Sequence, residues 1–191
     1  MDTFTGKRSV LGSVLALYVA LVGCQRADES LAAGGADHLR PDWGVVLPIE
    51  EQVKLPEYCA GPSPSGLAGQ WMPGRAEIDR LEQRLPSVIG KALTRVILEK
   101  GEKRPRPADY YRQYAGFYRN GRRVIYVCGL HRGLVAMTEK TMEPQAWMRR
   151  AMGADDGGLA ILHVVYDVDA DAFGPVQFEG RFSGPVRSRW F

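Results

Sequence analysis

The side chains able to do chemistry in this chain are few and scattered. His38, His131 and His163 are its only histidines, and none stands four residues from another or beside a pair of cysteines. The spacing that closes a tetrahedral zinc site is therefore missing, and neither a metal nor another cofactor is expected. Asp167-Val168-Asp169-Ala170-Asp171 has the opening spacing of a calcium loop, but Ala172 and Phe178 stand where that loop needs glycine and glutamate. A solvated hairpin turn is the expectation there. Nucleophilic catalysis needs a serine, threonine or cysteine beside a base, and Ser183-Gly184 lacks the Gly-x-Ser-x-Gly elbow. Glu77, Glu82 and Glu99 lie among arginines and lysines on a helical pattern, as the carboxylates of a solvated face do. Whether two of them meet across a cleft, as glycoside hydrolysis requires, depends on the fold and not on spacing. No residue is expected to be catalytic.

The N-terminus reads as an address. Lys7 and Arg8 precede an apolar run from Val10 to Leu21, broken only by Gly12 and Ser13. The run falls well short of the roughly 20 residues that span a bilayer, so it predicts a cleaved signal and not a transmembrane anchor. Leu21-Val22-Gly23-Cys24 resembles the lipobox of bacterial lipoproteins. The resemblance implies cleavage before Cys24 and acylation of its thiol, often followed by acylation of the new amine. Two or three chains, at about 0.8 kcal/mol per buried methylene, would hold the protein stably on a membrane where one would not. In enterobacterial lipoproteins an aspartate after the cysteine retains the protein in the inner membrane. Gln25 stands there, so the resemblance implies the periplasmic face of the outer membrane.

Domain boundaries follow: a signal over 1–23, a flexible tether over 24–40 rich in Ala, Gly, Asp and Ser, and one folded domain over 41–191. Losing the leader removes Lys7, Arg8 and Asp2, and leaves 23 basic and 21 acidic residues in a body of 168. That length supports a single core, and so even a charge argues against nucleic acid as a partner. With Cys24 assigned to lipid, Cys59 and Cys128 remain, and in an oxidising compartment they are expected to form a disulfide. Closing a loop of about 70 residues would be worth about 4 kcal/mol in the chain-entropy account.

The body predicts an α+β fold: one long, kinked helix on an antiparallel sheet of about four strands in two hairpins, with a short helical segment between them. Trp43 to Pro48 reads as a short extended segment, and the proline- and glycine-rich stretch to Pro73 as irregular. Ile78, Leu81, Leu85, Val88, Ile89, Ala92, Val96 and Ile97 recur at helical spacing, with Pro86 as the kink and Gly101 as the C-cap. Asn120-Gly121 between two aromatic and β-branched runs predicts a two-residue hairpin pairing Phe117 with Val124 and Tyr118 with Arg123. Leu134 to Met152 is expected to hold a short helix or two, centred on Ala146 to Met152. Leu162, Val164, Tyr166 and Val168 should share one face of a third strand, and Pro175 should delay the fourth.

Several pieces resemble a group of uncharacterised proteobacterial exported proteins: Trp71-Met72-Pro73 before the helix, Tyr111-Arg112-Gln113-Tyr114-Ala115-Gly116-Phe117, Gly121 to Val127, Asp156-Gly157-Gly158 and Tyr166-Asp167. The resemblance covers residues 71–180 and implies no activity. It leads one to expect asparagine where this chain has Cys128, so the disulfide would be particular to this protein. Tyr114, Tyr118, Arg119, Arg122 and Arg123 are the candidate protein-binding residues, since tyrosine and arginine are favoured interface anchors. Arg119 and Arg122 face each other across the predicted ladder, an unfavourable pairing that an acidic partner would relieve. The expectation is a non-catalytic envelope lipoprotein that binds another protein, of inhibitor, immunity or assembly-accessory type. A cell-wall enzyme with a carboxylate site, or a structural lipoprotein of an envelope complex, is the alternative.

Overall fold

The computed structural model describes residues 37–40, 43–58, 66–98, 101–153 and 157–179, the first stretch by its backbone alone. The signal, Cys24 and Cys59 lie outside the described residues. The fold is α+β, with one long helix lying on a mixed sheet of eight strands.

The hairpin at its centre follows the sequence closely. Strands β4 (Tyr110–Arg119) and β5 (Arg122–His131) are joined by Asn120 and Gly121, with φ of 52° and 75°. Two successive left-handed residues give the turn a twist that matches the strands, which is why Asn-Gly is used there. The register is Phe117 to Val124, Ala115 to Tyr126 and Tyr118 to Arg123. Strand β6 (Ile161–Asp167) pairs antiparallel with β5, and its outer edge carries β7 (Ala172–Phe173) and β8 (Gln177–Phe178).

On its other edge β4 is shared. Strand β2 (Gly44–Val46) lies parallel to residues 112–114, and β3 (Leu67–Trp71) lies antiparallel to residues 116–119. Strand β1 (Asp37–Arg40) pairs with β2. The sheet therefore begins inside the stretch that composition assigns to the tether. Backbone pairing needs no hydrophobic period, so composition could not reveal it. The stretch before Pro73 is likewise structured, holding β3 and two one-turn helices, α1 (Ile49–Gln52) and α2 (Leu55–Tyr58). Pro48 and Pro56 sit at the starts of these turns, where a missing N–H costs nothing.

Helix α3 (Arg75–Thr94) runs through Pro86 as one element, with Ile78, Leu81, Leu85, Ile89 and Leu93 buried. It begins where the Gly74 N–H donates to Glu77 Oε2 at 3.1 Å. It ends at Thr94 and not at Gly101, because the Arg104 guanidinium caps the carbonyls of Leu93 and Val96. Both faces of β4–β5–β6 are covered, which explains why both carry large side chains. Tyr110, Tyr114, Ile125, Val127, Leu162, Val164 and Tyr166 meet α3. Ala115, Phe117, Val124, Tyr126, Cys128 and Val165 meet a second layer of α1, α2, helix α4 (Arg132–Thr138) and the turn at Ala146–Met148.

Buried glutamines bind the layers together. Gln113 donates through Nε2 to the carbonyls of Trp147 (2.5 Å) and Arg150 (2.6 Å) and accepts from Met152 N. Gln52 accepts from Gly116 N and donates to the Leu47 carbonyl. Gly116 itself lies under the Trp71 backbone, where a Cβ would sit 2.2 Å from the Trp71 carbonyl oxygen. The tryptophan–methionine–proline segment and the Tyr111–Phe117 segment are thus two sides of one packed contact.

Candidate functional site

Alternation along β4 sends Tyr110, Arg112 and Tyr114 to the same face, toward α3, so a guanidinium is pressed into a tyrosine-lined core. On α3 the buried stripe includes Glu82, four residues after Ile78 and three before Leu85. The two meet: Arg112 Nε stands 3.5 Å from Glu82 Oε1, and each side chain is 5% exposed. Tyr114 donates its hydroxyl to the same Glu82 oxygen at 2.7 Å. Arg112 Nη2 donates to the Pro107 carbonyl at 2.9 Å, and the guanidinium lies 4.6 Å from the Trp43 ring centroid. Its Nε is buried without a hydrogen bond, the ion-pair contact with Glu82 being long and poorly directed.

Above this group opens a cleft of about 570 Å³. One wall is α3, with Asp79, Glu82 and Pro86; the other carries Ala108, Arg112 and Arg132, with Trp43 at its side. The wall at Ala108 is fixed by Asp109, whose carboxylate accepts from Arg106 N at 2.7 Å and pairs with the Arg106 guanidinium at 3.0 Å. Burial pushes the Asp109 carboxyl up, but the Arg106 hydrogen bonds and charge outweigh it and hold it below its ordinary range. Glu82 and Arg112 meet in the cleft floor, and Asp79 pairs along α3 with Arg75 at 3.5 Å.

The hairpin tip is arranged otherwise than its sequence suggests. Tyr114 is only 1% exposed, its hydroxyl bonded to Glu82 in the core, so it cannot be a surface anchor; strand parity carried it inward. Tyr118 is 39% exposed. Arg119 and Arg122 do face each other. Arg122 pairs with Asp167 of β6 at 3.2 Å, and Arg123 pairs with Asp169 of the following turn at 3.2 Å and with Glu77 of α3 at 3.4 Å. Arg123 also lies 5.3 Å from the Trp71 ring centroid. Only Arg119 of the three makes no ion pair with a described residue. The aspartate run at 167–171 thus supplies the counter-charges, since Asp171 in turn binds Arg84 and the Tyr166 hydroxyl.

Cys128 is buried, its Sγ 3.8 Å from the Met152 carbonyl oxygen. The last described residue before Cys59 is Tyr58, whose carbonyl packs against Gly153, the residue after Met152. Among the described residues no group of three or more metal-ligating side chains gathers, and no helix is long and apolar enough to cross a membrane. A second buried ionisable pair lies on the sheet face away from α3. His163 Nε2 bonds Gln177 Oε1, Nδ1 stands 3.9 Å from Glu179, and the ring stacks on Tyr126. Burial holds this histidine below its ordinary range, against the opposing hydrogen bond from Gln177. With both partners enclosed, the pair is internal and opens to no substrate.

Neither Arg112 nor Trp43 stands out in the sequence as a site residue. Two signals could have revealed the cleft: an arginine in register with two core tyrosines, and a glutamate on the apolar stripe of a helix, for Glu82, expected on a solvated face, is buried because it lies in line with Ile78 and Leu85. Compared with known protein families, curated proteins and solved structures, the chain finds no match in any of the three.

Proposed function

We propose that this chain is a non-catalytic lipoprotein, anchored through acylated Cys24 to the periplasmic face of the outer membrane, whose folded body binds another protein. The cleft over Arg112 supports this reading best. It is large enough to take a segment of a partner, within the range usual for binding sites. Its floor holds a guanidinium pre-positioned by Trp43, Glu82 and Pro107, a rigid arrangement suited to recognition. Catalysis is less well served, because the Glu82 oxygen that would act on a substrate already serves Arg112 and Tyr114. The hairpin tip is the weaker candidate, since two of its three arginines are committed within the molecule.

A wall-cleaving enzyme is the second reading, favoured by one observation: Asp79 and Glu82 both line the cleft. The two readings part in a digestion assay on purified peptidoglycan. Release of fragments by the wild-type protein, lost in Glu82→Gln, would establish the enzyme. No release, together with partner capture that Arg132→Gln weakens, supports the binding protein. The lipoprotein part is tested by labelled fatty acid: Cys24→Ser should lose the label and accumulate unprocessed precursor. Normal labelling and membrane retention of that variant would refute the anchor.

A further inference from the structure

The charges lining the cleft decide the sign of what it takes. Its acidic wall is answered within the molecule: Asp79 pairs with Arg75 at 3.5 Å, Glu82 holds Arg112 and accepts from the Tyr114 hydroxyl, and both carboxylates make further interactions. The basic wall is not answered in the same way. Exposed Arg132 makes no hydrogen bond or ion pair with a described residue, its guanidinium lying 5.3 Å from the Tyr111 ring centroid. Arg112 gives Nη2 to the Pro107 carbonyl and turns Nε toward Glu82. Its Nη1 makes no hydrogen bond with a described residue and, unlike Nε, is not enclosed. Two guanidinium groups with donors to spare therefore meet on one wall, beside the apolar surface of Trp43, Pro86 and Ala108.

We infer that the cleft takes a glutamate side chain from an internal segment of the partner, its carboxylate shared between Arg112 Nη1 and Arg132, with an apolar neighbour of that glutamate on Trp43, Pro86 and Ala108. This rests on the binding-protein reading above and names the group that is held. Hydrogen bonds from guanidinium to carboxylate are charge-assisted and directional, so they can fix a segment in one register. Arg112 is only 5% exposed, and the oxygen that reaches it must arrive on a slender stem. The two methylenes of glutamate provide one, whereas the α-carboxylate of a chain end stands directly on a branched carbon. One positive charge, that of Arg132, is left to balance, which suits a monoanion. A dianionic phosphate would overcharge the cleft close to Glu82.

The test is calorimetric titration of the full chain, in detergent, with the N-acetylated, C-amidated peptide Ala-Leu-Glu-Leu-Ala. Its Gln analogue, its analogue with Ala in place of both Leu, N-acetyl-Ala-Leu as free acid, inorganic phosphate and acetate are the comparisons. The Glu peptide should bind saturably, and most tightly at low salt, because Arg132 is exposed. The Gln analogue should bind roughly tenfold to a hundredfold more weakly, the loss expected for a charge-assisted hydrogen bond. The Ala-flanked analogue should also bind more weakly than the Glu peptide. Arg132→Gln changes an exposed residue and should weaken the Glu peptide while leaving the Gln analogue as it was. Equal binding of the Glu and Gln peptides, or indifference of the Glu peptide to Arg132→Gln, would overturn the inference. So would tighter binding of the free acid, of phosphate or of acetate, or no binding of any peptide to folded protein. A captured partner protein that the Glu peptide fails to displace would overturn it too, while leaving the binding-protein reading in place.

Discussion

Glu82 and Arg112 form a buried charge pair, and breaking one side of it should be far more harmful than removing both. At 3.5 Å and an effective dielectric constant of about 20, their attraction is about 5 kcal/mol, and each side chain is only 5% exposed. Glu82→Leu leaves a guanidinium buried opposite an apolar side chain. Arg112→Met leaves a buried carboxylate without its guanidinium, although the Tyr114 hydroxyl still donates to it. Each should cost about 3–5 kcal/mol, the usual loss when one partner of a buried pair is removed. The double variant Glu82→Leu with Arg112→Met has no stranded charge. It forfeits the tyrosine's acceptor and the stacking on Trp43, so its cost should be about 1–3 kcal/mol. Urea denaturation of the four proteins, with m-values compared to verify two-state behaviour, measures the cycle. The coupling should be at least about 3 kcal/mol. If the single costs simply add in the double variant, the two groups do not depend on each other, and the account of the cleft floor is wrong.

Gly116→Ala should destabilise by about 1–3 kcal/mol, because the new methyl would meet the Trp71 carbonyl and Pro73, and backbone cannot swing aside; tryptophan fluorescence would follow the unfolding, and unchanged stability would contradict the packing. Burial holds both His131 and His163 below their ordinary value of 6.5, although Asp109 opposes the effect at His131 and Gln177 opposes it at His163. The unfolded chain therefore takes up these protons first as pH falls, so stability should decline from about pH 6.5 downward and level off below the folded values. NMR titration of the two imidazoles should place both midpoints under 6.5, and a raised midpoint would reverse the sign. The bridge expected between Cys59 and Cys128 is checked by mass spectrometry of the unreduced protein, which should find those two cysteines joined. Two alkylatable thiols would refute the bridge, whose reduction should cost up to about 4 kcal/mol.

Local chemistry in the sequence determined the parts that depend on neighbouring residues. Asn120-Gly121 specified the turn, the turn specified the register from Phe117–Val124 outward, and the spacing of Ile78, Leu81, Leu85 and Ile89 specified one face of α3. Leu162, Val164, Tyr166 and Val168 share a face because a strand alternates, whatever surrounds it. The features read less well were those that depend on distant partners. Helix α3 stops at Thr94 because Arg104 reaches its last carbonyls, and β1 and β3 exist because β2 and β4 offer backbone to pair with. The arginines of the hairpin read as an uncompensated cluster until β6 brings Asp167 and its turn brings Asp169 beside them. Tyr114 read as a surface anchor, because alternation says which residues share a face but not which face is covered. The cleft is the extreme case. Trp43, Asp79, Glu82, Arg112 and Arg132 come from four separate segments, and only the packing of α3 across β4 makes a site of them. Spacing along a chain encodes the geometry of a turn or a stripe; it does not encode which distant charge will be buried against which.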